Sequence, residues 1–253
     1  MSVKLKVFTF NVRYPTEQDG INCFDNRKEK ILAVINEYAP DLIGFQEAND
    51  KSVGYLRSAL TDYTIIGCGR NAEYRGEGTY IAFRTEVFQM IECKTFWLSP
   101  TPDVPASRYD ADQSPCPRVT TSALLKHKDA ERPFRFINTH LDHKGARARV
   151  LEAKQIMEYV STLNVPCILT GDFNATPDTE EISLFAQKLT DATCNIAGTF
   201  HAYKDIPLEE MIKIDYVFTD LPTDPNESFA IPDAHKDGIY ISDHRPVCAF
   251  IEL

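Results

Sequence analysis

No two cysteines in this sequence make a C-x-x-C pair, and their number is odd: Cys23, Cys68, Cys93, Cys116, Cys167, Cys194 and Cys248. That argues against a paired-cysteine metal or redox motif and against a complete disulfide framework. Cys167 and Cys248 lie in apolar, strand-like runs and read as buried thiols, so a reducing compartment is expected. No apolar run approaches membrane-spanning length, and residues 1–8 alternate rather than form a continuous apolar segment. A cytoplasmic location is the expectation, a removed leader being the exception. Basic charge is also in deficit: 27 Lys and Arg against 37 Asp and Glu give a formal net charge of −10. Without a lysine and arginine stripe, extensive duplex nucleic-acid binding is not expected. An anionic substrate stays open, because a bound cation supplies positive charge locally. Nor is there a repeat, a linker or a second composition regime, and 43% hydrophobic with 25% charged residues leaves no room for a long disordered tail. One α/β domain over residues 1–253, monomeric, is expected; such a length buries roughly three quarters of the unfolded surface.

Among what is present, Thr170-Gly171-Asp172-Phe173-Asn174-Ala175-Thr176-Pro177 stands out. An apolar run over residues 165–169 reads as a strand, and Asp172 and Asn174 follow two residues apart at its exit. One hard anionic oxygen and one carboxamide at that spacing suit Mg²⁺ and a phosphate-directed water. Taken alone, the same pattern also describes a turn closed by side-chain-to-backbone hydrogen bonds.

Other segments repeat the arrangement. Residues 3–11 alternate as a strand that delivers Asn11, and Ile31, Val34, Ile35 and Tyr38 mark a helix opening at Asn26 and stopped by Pro40. Residues 41–47 form a short buried strand with Glu47 at its exit, where a carboxylate needs a partner. A short helix over 52–60 and a strand over 63–67 lead to a glycine-rich, charged loop at 69–78, expected to be mobile. Strands follow over 79–83 and 87–97, then an irregular, proline-rich loop over 98–117 whose end, Arg118, enters a strand. Residues 134–140 deliver His140 and Asp142 ahead of the longest helix, where Val150, Ala153, Met157 and Val160 make the core stripe and Glu152 falls off it. A short helix near 182–189 precedes a strand over 212–218 with Asp215 in its middle, and Asp243 and His244 stand before a last strand at 247–251.

Each polar residue has a bland structural explanation, yet six coincident strand-end positions point to a single site. The motifs Thr9-Phe10-Asn11-Val12-Arg13, Gly44-Phe45-Gln46-Glu47, Asn138-Thr139-His140-Leu141-Asp142, Gly171-Asp172-Phe173-Asn174, Ile214-Asp215-Tyr216-Val217-Phe218 and Ser242-Asp243-His244-Arg245-Pro246 give this sequence its family likeness. In content and order they resemble the endonuclease/exonuclease/phosphatase superfamily, which includes pancreatic deoxyribonuclease, apurinic endonucleases, inositol-polyphosphate phosphatases, neutral sphingomyelinases and deadenylases. The likeness runs from Phe8 to Val247, and Phe96 to Pro102 resembles a bacterial subgroup of unassigned substrate.

The resemblance implies a deoxyribonuclease I-like, four-layer α/β sandwich of two mixed sheets flanked by helices. It also implies roles. Glu47, helped by Asn11 and completed by Asp243, would hold Mg²⁺ or Mn²⁺. Asp172 would orient or deprotonate the attacking water, and Asn174 would fix a phosphate oxygen. Asp215 would hold His244 in one tautomer and favour its cation, which stabilises the transition state. His140 would meet the phosphate or leaving oxygen, oriented by Glu77, and Arg118 would clamp a phosphate. His201 is a further substrate candidate, whereas His127, His143 and His235 read as solvent-facing.

The expected activity is metal-dependent hydrolysis of a phosphodiester or phosphomonoester, on a small phosphorylated compound or a short single-stranded nucleic acid. Trp97, Tyr109 and Phe200 are candidate exposed stacking rings. Two alternatives stand: a 3′ to 5′ exonuclease on single-stranded RNA or DNA, and a catalytically silent phospho-ligand binding module.

Overall fold

Alternation along the first strand sends its side chains into two different cores: Leu5 and Val7 join one apolar cluster, Phe8 and Phe10 another. A strand buried on both faces requires a covering layer on each. The computed structural model describes residues 3–232 and 238–253; the expectation for His235 falls outside these. Its strands are β1 (Lys4–Asn11), β2 (Leu42–Ala48), β3 (Tyr63–Ile66), β4 (Gly78–Arg84), β5 (Phe88–Trp97), β6 (Val119–His127), β7 (Phe134–His140), β8 (Cys167–Asp172), β9 (Thr190–Asp191), β10 (Asp215–Thr219), β11 (Phe229–Ala230) and β12 (Val247–Glu252). The α-helices are α1 (Phe24–Tyr38), α2 (Asp50–Ala59), α3 (Ala146–Ser161) and α4 (Glu180–Ala186).

The strands form two six-stranded mixed sheets, ordered β11-β12-β1-β2-β4-β3 and β5-β6-β7-β8-β10-β9. Leu5, Val7, Leu42 and Phe83 of the first sheet meet Leu125, Phe136, Ile168 and Val217 of the second. The outer face of the first sheet packs Phe8, Ile43 and Phe45 on Ile31 and Ile35 of α1 and Leu56 of α2. The second sheet packs Ile137, Leu169 and Phe218 on Ile156 and Met157 of α3 and Phe185 of α4. This is the expected four-layer sandwich.

A polar bridge crosses the inner layer. Gln46 Nε2 donates to Asn138 Oδ1 at 2.6 Å, and Asn138 Nδ2 donates to the carbonyls of Phe45 and Tyr80. Thr170 Oγ1 donates to Asn138 Oδ1, so one carboxamide ties β2, β4, β7 and β8 together. Glycine at position 44 makes room for it: a Cβ there would stand 2.1 Å from Thr170 Oγ1.

The local expectations shift in a few places. Helix α1 begins at Phe24, ahead of Asn26, and Asp215 opens β10 rather than standing mid-strand. Glu152 is fully buried on α3, with Oε2 accepting the Asp142 N–H at 2.8 Å. The 69–78 loop, expected to be mobile, is a braced hairpin in which Gly69, Arg70 and Asn71 N–H groups donate to the carbonyls of Tyr74, Glu77 and Arg75. Among the described residues, no helix is long and apolar enough to cross a membrane.

Candidate active site

Strand register decides which polar side chains meet. His140 pairs with Asp172 across the parallel β7/β8 ladder, and Asp172 with Asp215 across antiparallel β8/β10. On the other sheet Asn11 ends β1 beside β2, and antiparallel β12 brings the preceding residues Asp243 and His244 to the same end. Between Phe45 and Ala48 the β2 register slips, and Glu47 there has φ +57°. Arg13 at φ +56° and Asn174 at φ +48° share the left-handed conformation, which costs a residue with a Cβ about 1 kcal/mol or more. Three such residues on one cleft mark a backbone bent to aim side chains inward.

The result is one continuous polar cluster. Asn11 Nδ2 donates to Asp172 Oδ2 at 2.9 Å and Glu47 Oε1 at 3.2 Å, and lies 3.4 Å from His244 Nε2. Its Oδ1 accepts from the Arg13 N–H at 2.9 Å. In this orientation the amide nitrogen, not the oxygen, faces Glu47 and Asp172. Glu47 Oε2 accepts from the Tyr14 N–H at 2.7 Å. Asp172 Oδ1 accepts from the Asn174 N–H at 2.9 Å, while Asn174 Nδ2 donates one hydrogen to Leu141 O. His140 Nε2 and His244 Nε2 lie 3.5 and 3.7 Å from Asp172 Oδ2.

Burial and charge set the protonation states. Burial pushes the Asp172 carboxyl up to about 7. Burial opposes a charge on His244, yet Asp215, whose Oδ2 is 2.8 Å from Nδ1, and Asp172 together hold its pKa well above the usual histidine range. His140 goes the other way: burial, then Arg118 and Arg70, keep it neutral. Burial alone would raise Glu47, but the Tyr14 N–H and Arg13 lower it, whereas burial raises Asp243.

Above this floor opens a cleft of about 600 Å³, lined by Glu47, His140, Asp172, Asn174, Asp243 and His244 and walled by Arg13, Arg70, Glu77, Arg118, His143 and Phe200. Arg118 is almost wholly buried, its Nε 3.5 Å from the buried Asp142 carboxylate and its Nη2 2.7 Å from His143 Nδ1. Asp142 itself accepts from Ser114 N–H and Oγ–H, Lys144 N–H and Gly145 N–H, which anchors the end of the 98–117 loop.

Several sequence expectations do not hold. His201 is not a cleft-lining residue: its ring packs on Tyr240 at 4.9 Å, and its N–H donates to the Asp243 carbonyl. Glu77 pairs with Arg70 at 2.8 Å instead of orienting His140. Trp97 is buried, donating to the Arg70 carbonyl, and Tyr109 donates to Gln155 on α3; of the three rings only Phe200 reaches the cleft, against His244. His127 is buried against Phe88, while His143 is exposed but at the cleft rim.

Four supporting residues were passed over. Fully buried Arg27 donates to the carbonyls of Asn22, Val12, Ile241 and Arg13, stitching the exit of β1 to the segment ahead of Asp243. Thr199 Oγ1 accepts from the N–H groups of Ile214 and Asp215, and Ser242 Oγ donates to the Asn11 carbonyl. Arg13 bonds Asp19 and lies within 4 Å of Glu47 and Asp243. Arg13 and Ser242 sit inside the quoted motifs, so the signal was there; Arg27 and Thr199 act through backbone groups and leave no pattern.

The donor set fits a hard divalent cation. One donor atom each of Glu47, His140 and Asp172 lies within 4.8 Å of the others, with Asp243 on the same cleft. Carboxylate oxygens of this kind suit Mg²⁺ or Mn²⁺. The neighbouring trio of Asp172, Asp215 and His244 is less suitable, since His244 Nδ1 is already bonded to Asp215.

Comparison with known proteins shows the family and the fold. The sequence model of the Endonuclease/Exonuclease/phosphatase family matches residues 8–244. An endonuclease/exonuclease/phosphatase from Bacteroides vulgatus superposes with a TM-score of 0.92 at 29% identity, covering 99% of each chain. A mannosyl-6-phosphatase from Bacteroides thetaiotaomicron gives 0.87 at 28% identity over 98% of this chain and 99% of its own. The human Nocturnin catalytic domain, at 19% identity over 100% and 97%, gives 0.74 and shares the fold.

Proposed function

The chain belongs to the endonuclease/exonuclease/phosphatase family, whose members are hydrolases acting on phosphoesters, and from that premise we propose a divalent-cation-dependent hydrolase of small phosphomonoesters or phosphodiesters. The observation that carries this reading is the convergence of Glu47, Asp172, Asn174, His140 and the Asp215–His244 pair on one cleft. Asp172, poised near neutrality by burial, orients the attacking water and takes its proton; a base works best when its pKa lies near the working pH. Asn174 spends one amide hydrogen on Leu141 and keeps the other for a phosphoryl oxygen. The His244 imidazolium, fixed through Nδ1 by Asp215, directs Nε2–H at the charge that grows on phosphorus-bound oxygens. Neutral His140 donates to the phosphate or leaving oxygen, and Arg118, braced by Asp142, faces the same anion. Glu47 with Asp243 would hold Mg²⁺ or Mn²⁺, which would supply Lewis-acid polarisation of the phosphoryl group.

A small substrate is favoured over a nucleic-acid strand. The net charge is −10, and Arg13, Arg70 and Arg118 at the cleft each face a carboxylate. The mannosyl-6-phosphatase similarity supports the same side. Hydrolysis of para-nitrophenyl phosphate and its bis ester with Mg²⁺ or Mn²⁺, lost on adding EDTA, tests the reading. If neither ester turns over with either ion, a phospho-ligand binder replaces the enzyme; if single-stranded RNA or DNA is degraded faster than any small ester, an exonuclease does.

A further inference from the structure

The cleft is larger than a phosphate group needs, and one of its walls makes none of the substrate contacts so far assigned. Arg70 and Glu77 form that wall, their side chains 13% and 19% exposed and 2.8 Å apart. The pair also lines the small recess beside His140, with Arg118 at its back. The wall is rigid. Backbone bonds close the hairpin between Gly69 and Glu77, and Trp97 Nε1 donates to the Arg70 carbonyl at 2.7 Å, pinning the hairpin to the second sheet. His143 Nδ1 faces the Arg118 guanidinium at 2.7 Å, so its ring is the Nε2–H tautomer with that donor left over at the rim.

What such a wall binds follows from its charge. Each guanidinium there already faces a carboxylate, Arg70 with Glu77 and Arg118 with Asp142, so a second phosphate would meet the repulsion of Glu77. Adjacent donors and acceptors on planar side chains suit neutral hydroxyls that both give and take hydrogen bonds. We propose that the Arg70–Glu77 pair, with the His143 Nε2–H beside it, binds the hydroxyls of a polyhydroxylated alcohol of monosaccharide size esterified to the scissile phosphate. A cleft of about 600 Å³ holds such a group next to the phosphate and falls within the range of small-molecule sites. Sites that hydrogen-bond a hydroxyl reject analogues lacking it far more strongly than apolar pockets reject a missing methylene.

This inference rests on the phosphohydrolase reading, and the test separates the two. Wild-type kcat/KM is measured with Mg²⁺ on glucose 6-phosphate, mannose 6-phosphate, n-propyl phosphate and a single-stranded hexanucleotide. The same assays are run on Arg70→Met and Glu77→Gln. Wild type is expected to prefer a hexose phosphate to n-propyl phosphate by about tenfold or more. Each substitution should lower that preference about tenfold, mostly through KM. The Trp97 bond uses the Arg70 main chain, so neither change removes the hairpin's anchor.

Equal losses on hexose and propyl esters overturn the subsite, as does wild-type preference for propyl phosphate or the hexanucleotide. Calorimetric binding of glucose 6-phosphate against inorganic phosphate covers the case of no turnover. A hexose phosphate that binds more tightly than phosphate, and loses that margin in Arg70→Met, keeps the subsite while the hydrolase reading falls. Equal affinities discard the subsite whatever the turnover.

Discussion

Asp172 is buried and held by two hydrogen bonds, Asn11 Nδ2 on one oxygen and the Asn174 N–H on the other, with two histidine rings nearby. A carboxamide of the same shape carries no charge to desolvate, which offsets the loss of one acceptor facing the Asn11 amide. Asp172→Asn should therefore leave the melting temperature at or slightly above wild type while lowering kcat by about 10²–10⁴, the usual worth of a positioned base. A fall of ten degrees instead would make the residue structural. Glu152 offers a second test at this scale. Burial pushes it from the ordinary 4.5 up to about 8, so the folded state binds its proton between those limits and the unfolded state does not. Its contribution to stability is full below pH 4.5 and declines as pH rises to about 8. Glu152→Gln keeps an acceptor for the Asp142 N–H and should gain about 1–3 kcal/mol over wild type at pH 8.5, with little gain at pH 4.5, in paired urea melts. Asp172 was legible in the sequence because a strand exit and a two-residue spacing announced it. Glu152 was not: it stands four residues from both Ala148 and Ile156, on their buried stripe, but its charge argued for solvent.

At the level of strands and loops, alternation and glycine placement carried most of the information. The ends of β1, β2, β7 and β8 could be read as site-bearing because apolar runs stop there and polar residues begin. The angle at which Glu47 enters could not, since a slipped register and a positive φ belong to the ladder rather than to the residue. The hairpin at 69–78 misled for the opposite reason. Glycine and charge suggested motion, yet a Cβ on Gly69 would lie 2.2 Å from the Arg75 carbonyl carbon, so the glycine serves close packing. Gly44 makes the same point between the sheets. Gly44→Ala would drive a methyl group into Thr170 Oγ1 and Asn138 Oδ1. It should cost about 2–3 kcal/mol in urea unfolding, the upper range for overpacking, and lower activity by shifting β2 against β8. An unchanged midpoint would mean that the carboxamide bridge gives way freely.

The whole molecule carries an excess of ten negative charges and crowds Glu47, Asp172 and Asp243 along one cleft. A divalent cation that binds the folded chain and not the unfolded one stabilises it by mass action, about 2.7 kcal/mol at a hundred times its dissociation constant. Saturating Mg²⁺ should raise the melting temperature by roughly 5–10 °C, EDTA should reverse the rise, and Glu47→Gln should blunt it. An identical melting curve with and without the ion would remove the cation from this cleft. Sheet order was the least legible feature, because pairing between β1 and β12 is a long-range choice that local sequence patterns do not encode. That pairing has a biosynthetic consequence. A nascent chain halted on the ribosome before Val247 already contains Asp172 and Asp215, but it lacks the strand that delivers His244 to them, so the cleft is assembled only when translation has passed β12.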